Sequence, residues 1–201
     1  MKPAYPVQTD RLLLRPFAAT DFDGLLAIQS RADVARYLEW DPRTAAEVRE
    51  TLDTKVRATA IIAEGDHVSL AAVLRESGEL IGDCSLRWAS AEHRQAEIGF
   101  AFHPDHHGHG YATEAAAALL ALGFDELKAH RVFGRLEARN TASARVLERL
   151  GMRKEAHLVE NEHIKGEWQS EVVYALLERE WISRRRGGGA GSAADPPGTT
   201  A

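Results

Sequence analysis

The sequence predicts an α+β domain of three layers, a mixed sheet with helices on both faces. Three observations carry this. Apolar segments with strand-like alternation outnumber those with helical spacing, and the two kinds are interleaved in mixed order. Two of the strands flank Glu76-Ser77-Gly78-Glu79, the turn chemistry of a hairpin. The order is not the strict alternation of a doubly wound parallel sheet.

Arg11–Phe17, RLLLRPF, reads as a first strand stopped by Pro16. Thr20 or Asp21 can then cap a helix that offers Phe22, Leu25, Leu26 and Ile28 to a core. A second helix is expected from Asp41 as cap, with Pro42 in its first position and Val48, Leu52 and Val56 at helical spacing. Val68–Leu74 and Leu80–Trp88 form the hairpin, and Glu97–His103 is the next strand. Its odd positions Glu97, Gly99 and Ala101 share one face, and the bulky Ile98, Phe100 and Phe102 share the other. A helix follows over Thr113–Leu127, with Ala116, Leu119, Leu120, Phe124 and Leu127 along one stripe. Then come a strand at Arg131–Glu137, a helix at Thr141–Leu150 ended by Gly151, and strands at Ala156–Glu160 and Glu171–Leu177. Residues 1–183 are read as one domain. Arg184–Ala201, RRRGGGAGSAADPPGTTA, has almost nothing to bury and is read as a disordered tail.

Across 201 residues, 25 Lys and Arg stand against 30 Asp and Glu, a formal net charge of −5, which is not a nucleic-acid-binding balance. The one cysteine, Cys84, can form no intrachain disulfide, so a cytoplasmic setting is expected; it reads as a buried small residue, not a nucleophile. No secretory leader is read at Met1–Asp10. The longest apolar run, Ala115–Leu122, is far short of the ~20 residues that cross a membrane, so no membrane passage is expected.

The chemistry concentrates in His103-Pro104-Asp105-His106-His107-Gly108-His109-Gly110-Tyr111-Ala112-Thr113-Glu114. Two glycines lie directly before a helix whose first N–H groups have no intrahelical partners. Successive amides from Gly108 to Thr113, with the positive end of the helix dipole, can cradle a pyrophosphate without Lys or Arg. A tight turn is the plain alternative. The segment has neither the Gly-Lys-Ser/Thr ending of a P-loop nor the third glycine of a dinucleotide fingerprint. Its four histidines, His103, His106, His107 and His109, have no acidic or cysteine pattern beside them, and no metal is expected.

HPDHHGHGYATEA followed by HRVFGRLEARNTASARVLERLGM resembles the acyl-CoA loop and following segment of the GNAT N-acetyltransferase superfamily, in its RimJ/RimL-like branch of ribosomal-protein N-terminal acetyltransferases. TDRLLLRPF, AEIGFAFHP and IKGEWQSEVVYALLEREW match in order, so the likeness covers about residues 8 to 181. The resemblance implies a mixed sheet of about seven strands, splayed between the strand ending at His103 and the strand starting near Arg131, with acetyl-CoA in the gap. The implied cofactor contacts are Phe102 and His103 at the strand end, Gly108, His109, Gly110, Tyr111, Ala112 and Thr113 in the loop, and Asn140 and Ser143, which match an Asn-x-x-Ser element. In the family's pattern Gln or Arg precedes the glycines, whereas here Asp105 occupies that place. The resemblance also admits a homodimer.

Asn140, Ser143, Leu147 and Leu150 share one side of a helix, which agrees with that element; the plain alternative is a helix cap and a first-turn serine. Acyl transfer from a thioester to an amine needs a neutral amine, a polarised carbonyl and a proton for the leaving thiolate. A free strand-edge N–H near Phe102 can polarise the carbonyl. Glu97 is the candidate base, because Gly99 and Ala101 on its face leave room for a ligand; the alternative is a carboxylate paired with a nearby arginine. The tyrosine that many relatives use as acid is missing from Thr141–Leu147, so Ser143 or a water remains. Tyr37, Trp40, Trp88 and Trp168 are candidate acceptor-pocket walls or core residues. The expected activity is acetyl transfer from acetyl-CoA to a primary amine, with a protein N-terminus favoured. The alternatives are a polyamine or aminoglycoside acceptor, succinyl-CoA as donor, or a CoA-binding module without turnover.

Overall fold

A computed structural model describes residues 1–187. Chain order is β1 (Val7–Gln8), β2 (Leu12–Pro16), α1 (Phe22–Gln29), α2 (Ala32–Ala35), α3 (Ala45–Arg57), β3 (His67–Leu74), β4 (Leu80–Ser90), β5 (Gln95–Phe102), α4 (Tyr111–Ala121), β6 (Arg131–Glu137), α5 (Thr141–Arg149), β7 (Arg153–Ile164), β8 (Glu167–Leu177) and α6 (Glu178–Gly187). The strands form one sheet in the order β1-β2-β3-β4-β5-β6-β8-β7. All neighbours are antiparallel except β5 and β6, which are parallel.

Helices cover both faces, as expected. Ile98 and Phe102 point to the face where Ala115, Leu119 and Leu147 of α4 and α5 close the main core. On the opposite face Leu25 of α1 and Val48 and Leu52 of α3 pack on Ala71 and Val73. The eighth strand is the two-residue β1, too short to read from alternation.

The parallel contact between β5 and β6 is brief. Only Gln95–Glu97 pair with Arg131–Phe133, after which the strands part. At the next position of β6 an added Cβ on Gly134 would lie 3.1 Å from Leu147 Cδ1, so the α5 side chain sits against bare backbone where the pairing ends.

Several local expectations are corrected. Helix α3 begins after Thr44 rather than Asp41: the Thr44 hydroxyl accepts from Glu47 N–H, and the Glu47 carboxylate accepts from Thr44 N–H at 2.7 Å. That reciprocal box satisfies two end donors, which a lone Asp-Pro start does not. Asp21 stands at the start of α1, but its carboxylate makes a two-pronged pair with Arg15 at 2.7 Å and accepts from Ala18 N–H. Burial works to raise the Asp21 carboxyl, yet these bonds hold it below its ordinary value. The last two strands run well beyond the expected bounds, because β7 is exposed on both sides and lacks an apolar alternation. Helix α6 takes in Arg184 and Arg185, which were read as tail. Arg184 donates to Leu150 O and Arg185 pairs with Asp125, while residues 188–201 of that stretch lie outside the described residues. Among the described residues no helix is long and apolar enough to cross a membrane.

Replacing Thr44 with Ala removes the reciprocal cap of α3. The expected loss is about 1 kcal/mol of unfolding free energy in urea titration, with an unchanged m-value.

Candidate active site

The parting of β5 from β6 opens a cleft of about 500 Å³ between β5, the start of α4, α5 and the α2 segment. Its floor is the free edge of β5. His103 N–H donates back to Ile81 O on β4, so the alternation of a strand turns the N–H groups of Phe102 and Phe100 the other way, into the gap. That places a backbone donor where the sequence asks for one, near Phe102.

The loop before α4 is built as a cradle. Gly108 and Gly110 have φ of +80° and +83°, and Gly110 is the residue from which α4 starts. Side chains with a Cβ rarely adopt these values, so the backbone approaches the cleft bare. The Thr113 hydroxyl, one turn into the helix, is buried and has no partner among the described residues. An orphaned donor beside free helix N–H groups is the polar complement of an anion such as the pyrophosphate of CoA. The residues present therefore fit that group.

Of the ten expected cofactor contacts, Phe102, Gly108, Gly110, Tyr111, Ala112, Thr113, Asn140 and Ser143 line the cleft, while His103 and His109 do not. His103 turns aside because its ring accepts from Asp105 N–H. His109 stacks on Tyr111 at 5.8 Å. Asn140 does cap α5, its Oδ1 accepting from Ser143 N–H at 3.1 Å, and it faces the cleft as well, so the two readings of this pair are compatible. Asp105 is no obstacle, for its side chain is 73% exposed and does not line the cleft. Arg145 and Arg149 do line it, and no carboxylate pairs with either among the described residues. Charge alone did not single them out on a helix read for its apolar side.

The remaining histidines diverge. His106 meets Glu79 at 3.2 Å and His107 bonds Phe102 O at 3.0 Å. Among the described residues no group of three or more His, Cys, Asp or Glu is disposed to hold a metal. Burial pushes the Cys84 thiol far up, which suits a packed residue on β4.

A second cavity of about 190 Å³ adjoins the first, and Tyr37 and Leu38 line both. Its walls are acidic: Glu39, Glu97, Glu137, Glu162 and Glu171 surround Arg135. Glu97 lies here, with Oε1 2.9 Å from Arg135 and Oε2 3.4 Å from Arg87, which is the paired-carboxylate arrangement. Glu137 is taken by Arg139 at 2.8 Å. Glu171, unremarkable in sequence, is only 14% exposed and 3.5 Å from Arg135. Burial first, and then the like charges of Glu162, Glu97 and Glu39, push its carboxyl up despite Arg135. Trp40 joins Tyr37 in this cavity, whereas Trp88 packs on the main core and Trp168 is exposed. The β7–β8 hairpin is held over this side by Lys165, which donates to Ala35 O at 2.7 Å.

The sequence profile of the acetyltransferase (GNAT) domain matches residues 11–153. An uncharacterized N-acetyltransferase of Bacillus subtilis (strain 168), YnaD, is 33% identical over 176 residues, covering 87% of this chain and 98% of its own. The putative ribosomal N-acetyltransferase YdaF of the same organism is 30% identical over 158 residues, or 78% of this chain and 84% of its own. A GNAT-family acetyltransferase from Bacillus anthracis superposes with a TM-score of 0.77 at 32% identity, covering 86% of this chain and 98% of its own.

Thr113→Val removes an unsatisfied hydroxyl, so the ligand-free protein should gain about 1 kcal/mol in denaturant titration while calorimetric CoA affinity falls. Glu114, at the start of α4, gives a pH prediction. Burial works to raise its carboxyl, but bonds from the Thr9 hydroxyl and from Arg11 outweigh it and hold it below the ordinary 4.5. A depressed folded pKa means stability that is present above 4.5 and lost as pH falls through the folded value. The Tm difference between wild type and Glu114→Gln should hold above that pH and shrink below it.

Proposed function

The chain belongs to the GNAT acetyltransferase family, whose acyl donor is acetyl-CoA, and we propose that it acetylates a primary amine entering the acidic cavity, with a protein N-terminal α-amine as the favoured acceptor. The observation that carries this is the pair of cavities, one suited to an anion and one acidic, sharing the Tyr37–Leu38 wall beside the free edge of β5.

When bound, acetyl-CoA supplies an acyl group activated as a thioester. The amides of Gly108–Thr113, the Thr113 hydroxyl, Arg145 and Arg149 would hold its phosphates, and Asn140 and Ser143 its pantetheine arm. The free N–H groups near Phe102 stabilise negative charge building on the acyl oxygen. An α-amine has a pKa of about 7.7 to 8.0 against about 10.4 for lysine, so a modest base suffices to neutralise it at neutral pH. Glu171 is the better placed base, since burial raises its proton affinity, whereas Glu97 is engaged by Arg135 and Arg87 and serves as an anchor for the ammonium. Ser143 would relay a proton to the leaving sulfur, its hydroxyl being restored by the proton that the nitrogen of the adduct gives up. We place the protein in the cytoplasm on its single, buried cysteine.

The acidic walls favour one second reading, a small polycationic amine as acceptor. Thiol release with acetyl-CoA and succinyl-CoA across N-terminal peptides, lysine peptides and spermidine decides between them. The highest kcat/KM on N-terminal peptides supports the first reading, the highest on spermidine the second, and CoA binding without turnover would leave a non-catalytic module. In the active assay Glu171→Gln should lower kcat/KM about 10²-fold and abolish an acidic limb lying above the ordinary carboxyl range. Glu97→Gln should instead raise the acceptor KM about tenfold.

A further inference from the structure

The motif TDR at the start of β2 lines neither cavity of the active site, yet it grips the cradle loop. Glu114 accepts from the Thr9 hydroxyl at 2.6 Å, from Arg11 N–H at 2.7 Å and from Arg11 Nε at 2.8 Å. Held by that carboxylate, the Arg11 guanidinium lies 4.6 Å from the centre of the Tyr111 ring and donates through Nη1 to His109 O at 2.9 Å. His109 closes the stack on the same ring.

The bond to His109 O is the one with chemical consequence. The His109–Gly110 peptide is planar, with its C=O and N–H pointing in opposite directions. Gly110 lines the cleft and Arg11 does not, so fixing the carbonyl toward Arg11 turns the Gly110 N–H toward the cleft. The glycine at 110 leaves this peptide free to flip, because glycine occupies positive and negative φ with similar ease. A flipped peptide presents a carbonyl oxygen to an anion in place of a donor.

We infer that Arg11, oriented by Glu114 and Thr9, is a positioning residue that locks the 109–110 peptide with its carbonyl outward and so keeps the loop competent to bind the CoA diphosphate. Arg11 acts through the loop and does not touch the ligand.

Because the role rests on the acetyl-CoA reading above, CoA binding to wild type is measured first by calorimetry; its absence would overturn that reading, not the lock. Arg11→Ala should then weaken CoA binding and raise the acetyl-CoA KM at least tenfold, with kcat at saturating donor within about twofold. Arg11→Lys should recover part of the affinity, since an ammonium can reach one carbonyl but not also serve the Glu114 fork. Acetyl-pantetheine, which has no diphosphate, separates positioning from general structural damage. Its turnover should be the same in wild type and Arg11→Ala, and Glu114→Gln added to Arg11→Ala should cost nothing more in CoA affinity. Wild-type CoA affinity in Arg11→Ala, or an equal loss with acetyl-pantetheine, would overturn the lock.

Discussion

The early parting of β5 from β6 is the constraint from which the site follows. A continuous ladder would satisfy every N–H of β5 and leave no cleft; ending it after Glu97 leaves donors of the strand facing a gap. Donors that the sheet leaves unpaired along this edge are available to a carbonyl-bearing ligand. Where the pairing ends, Leu147 of α5 packs on the bare backbone of Gly134, so α5 sits directly against the parting of the strands. Sheet topology thereby produces both the cavity and its hydrogen-bonding edge.

The same parting sorts charge. On the α4–α5 side, helix amides and two arginines face the cleft; on the side of Tyr37 and Trp40, carboxylates predominate. A net charge of −5 says nothing of this division, since the anion side is built largely from backbone dipoles that carry no formal charge. The two sides of one wall therefore present opposite electrostatic surroundings.

The fold was largely readable because its strands and helices keep strong apolar periods. Phe102 and Ile98 against Glu97 and Gly99 gave the faces of β5, and Gly151 does end α5. Reading failed where stabilisation is not apolar. β7 keeps its place through ladder bonds to β8 with charged residues on both faces, and α6 is held by arginine contacts to Leu150 O and Asp125. In the site, backbone features were foreseeable from glycines next to a helix start. Glu171, Arg145 and Arg149 were not, because their meaning depends on neighbours from other strands and helices. For His103 and His109, proximity in sequence to the loop did not decide where their rings turn, which is set by contacts with Asp105 N–H and with Tyr111.

Arg135 gives the acidic cavity its asymmetry. One guanidinium lies between two carboxylates, 2.9 Å from Glu97 through Nε and 3.5 Å from Glu171 through Nη1, and Arg87 adds a second cation on the Glu97 side only. The pairing is unequal: two arginines reach Glu97, while Glu171 lies in a desolvated place among further acids that push its carboxyl up. The two carboxylates thus sit in different surroundings, and the difference follows from the position of a single side chain on β6.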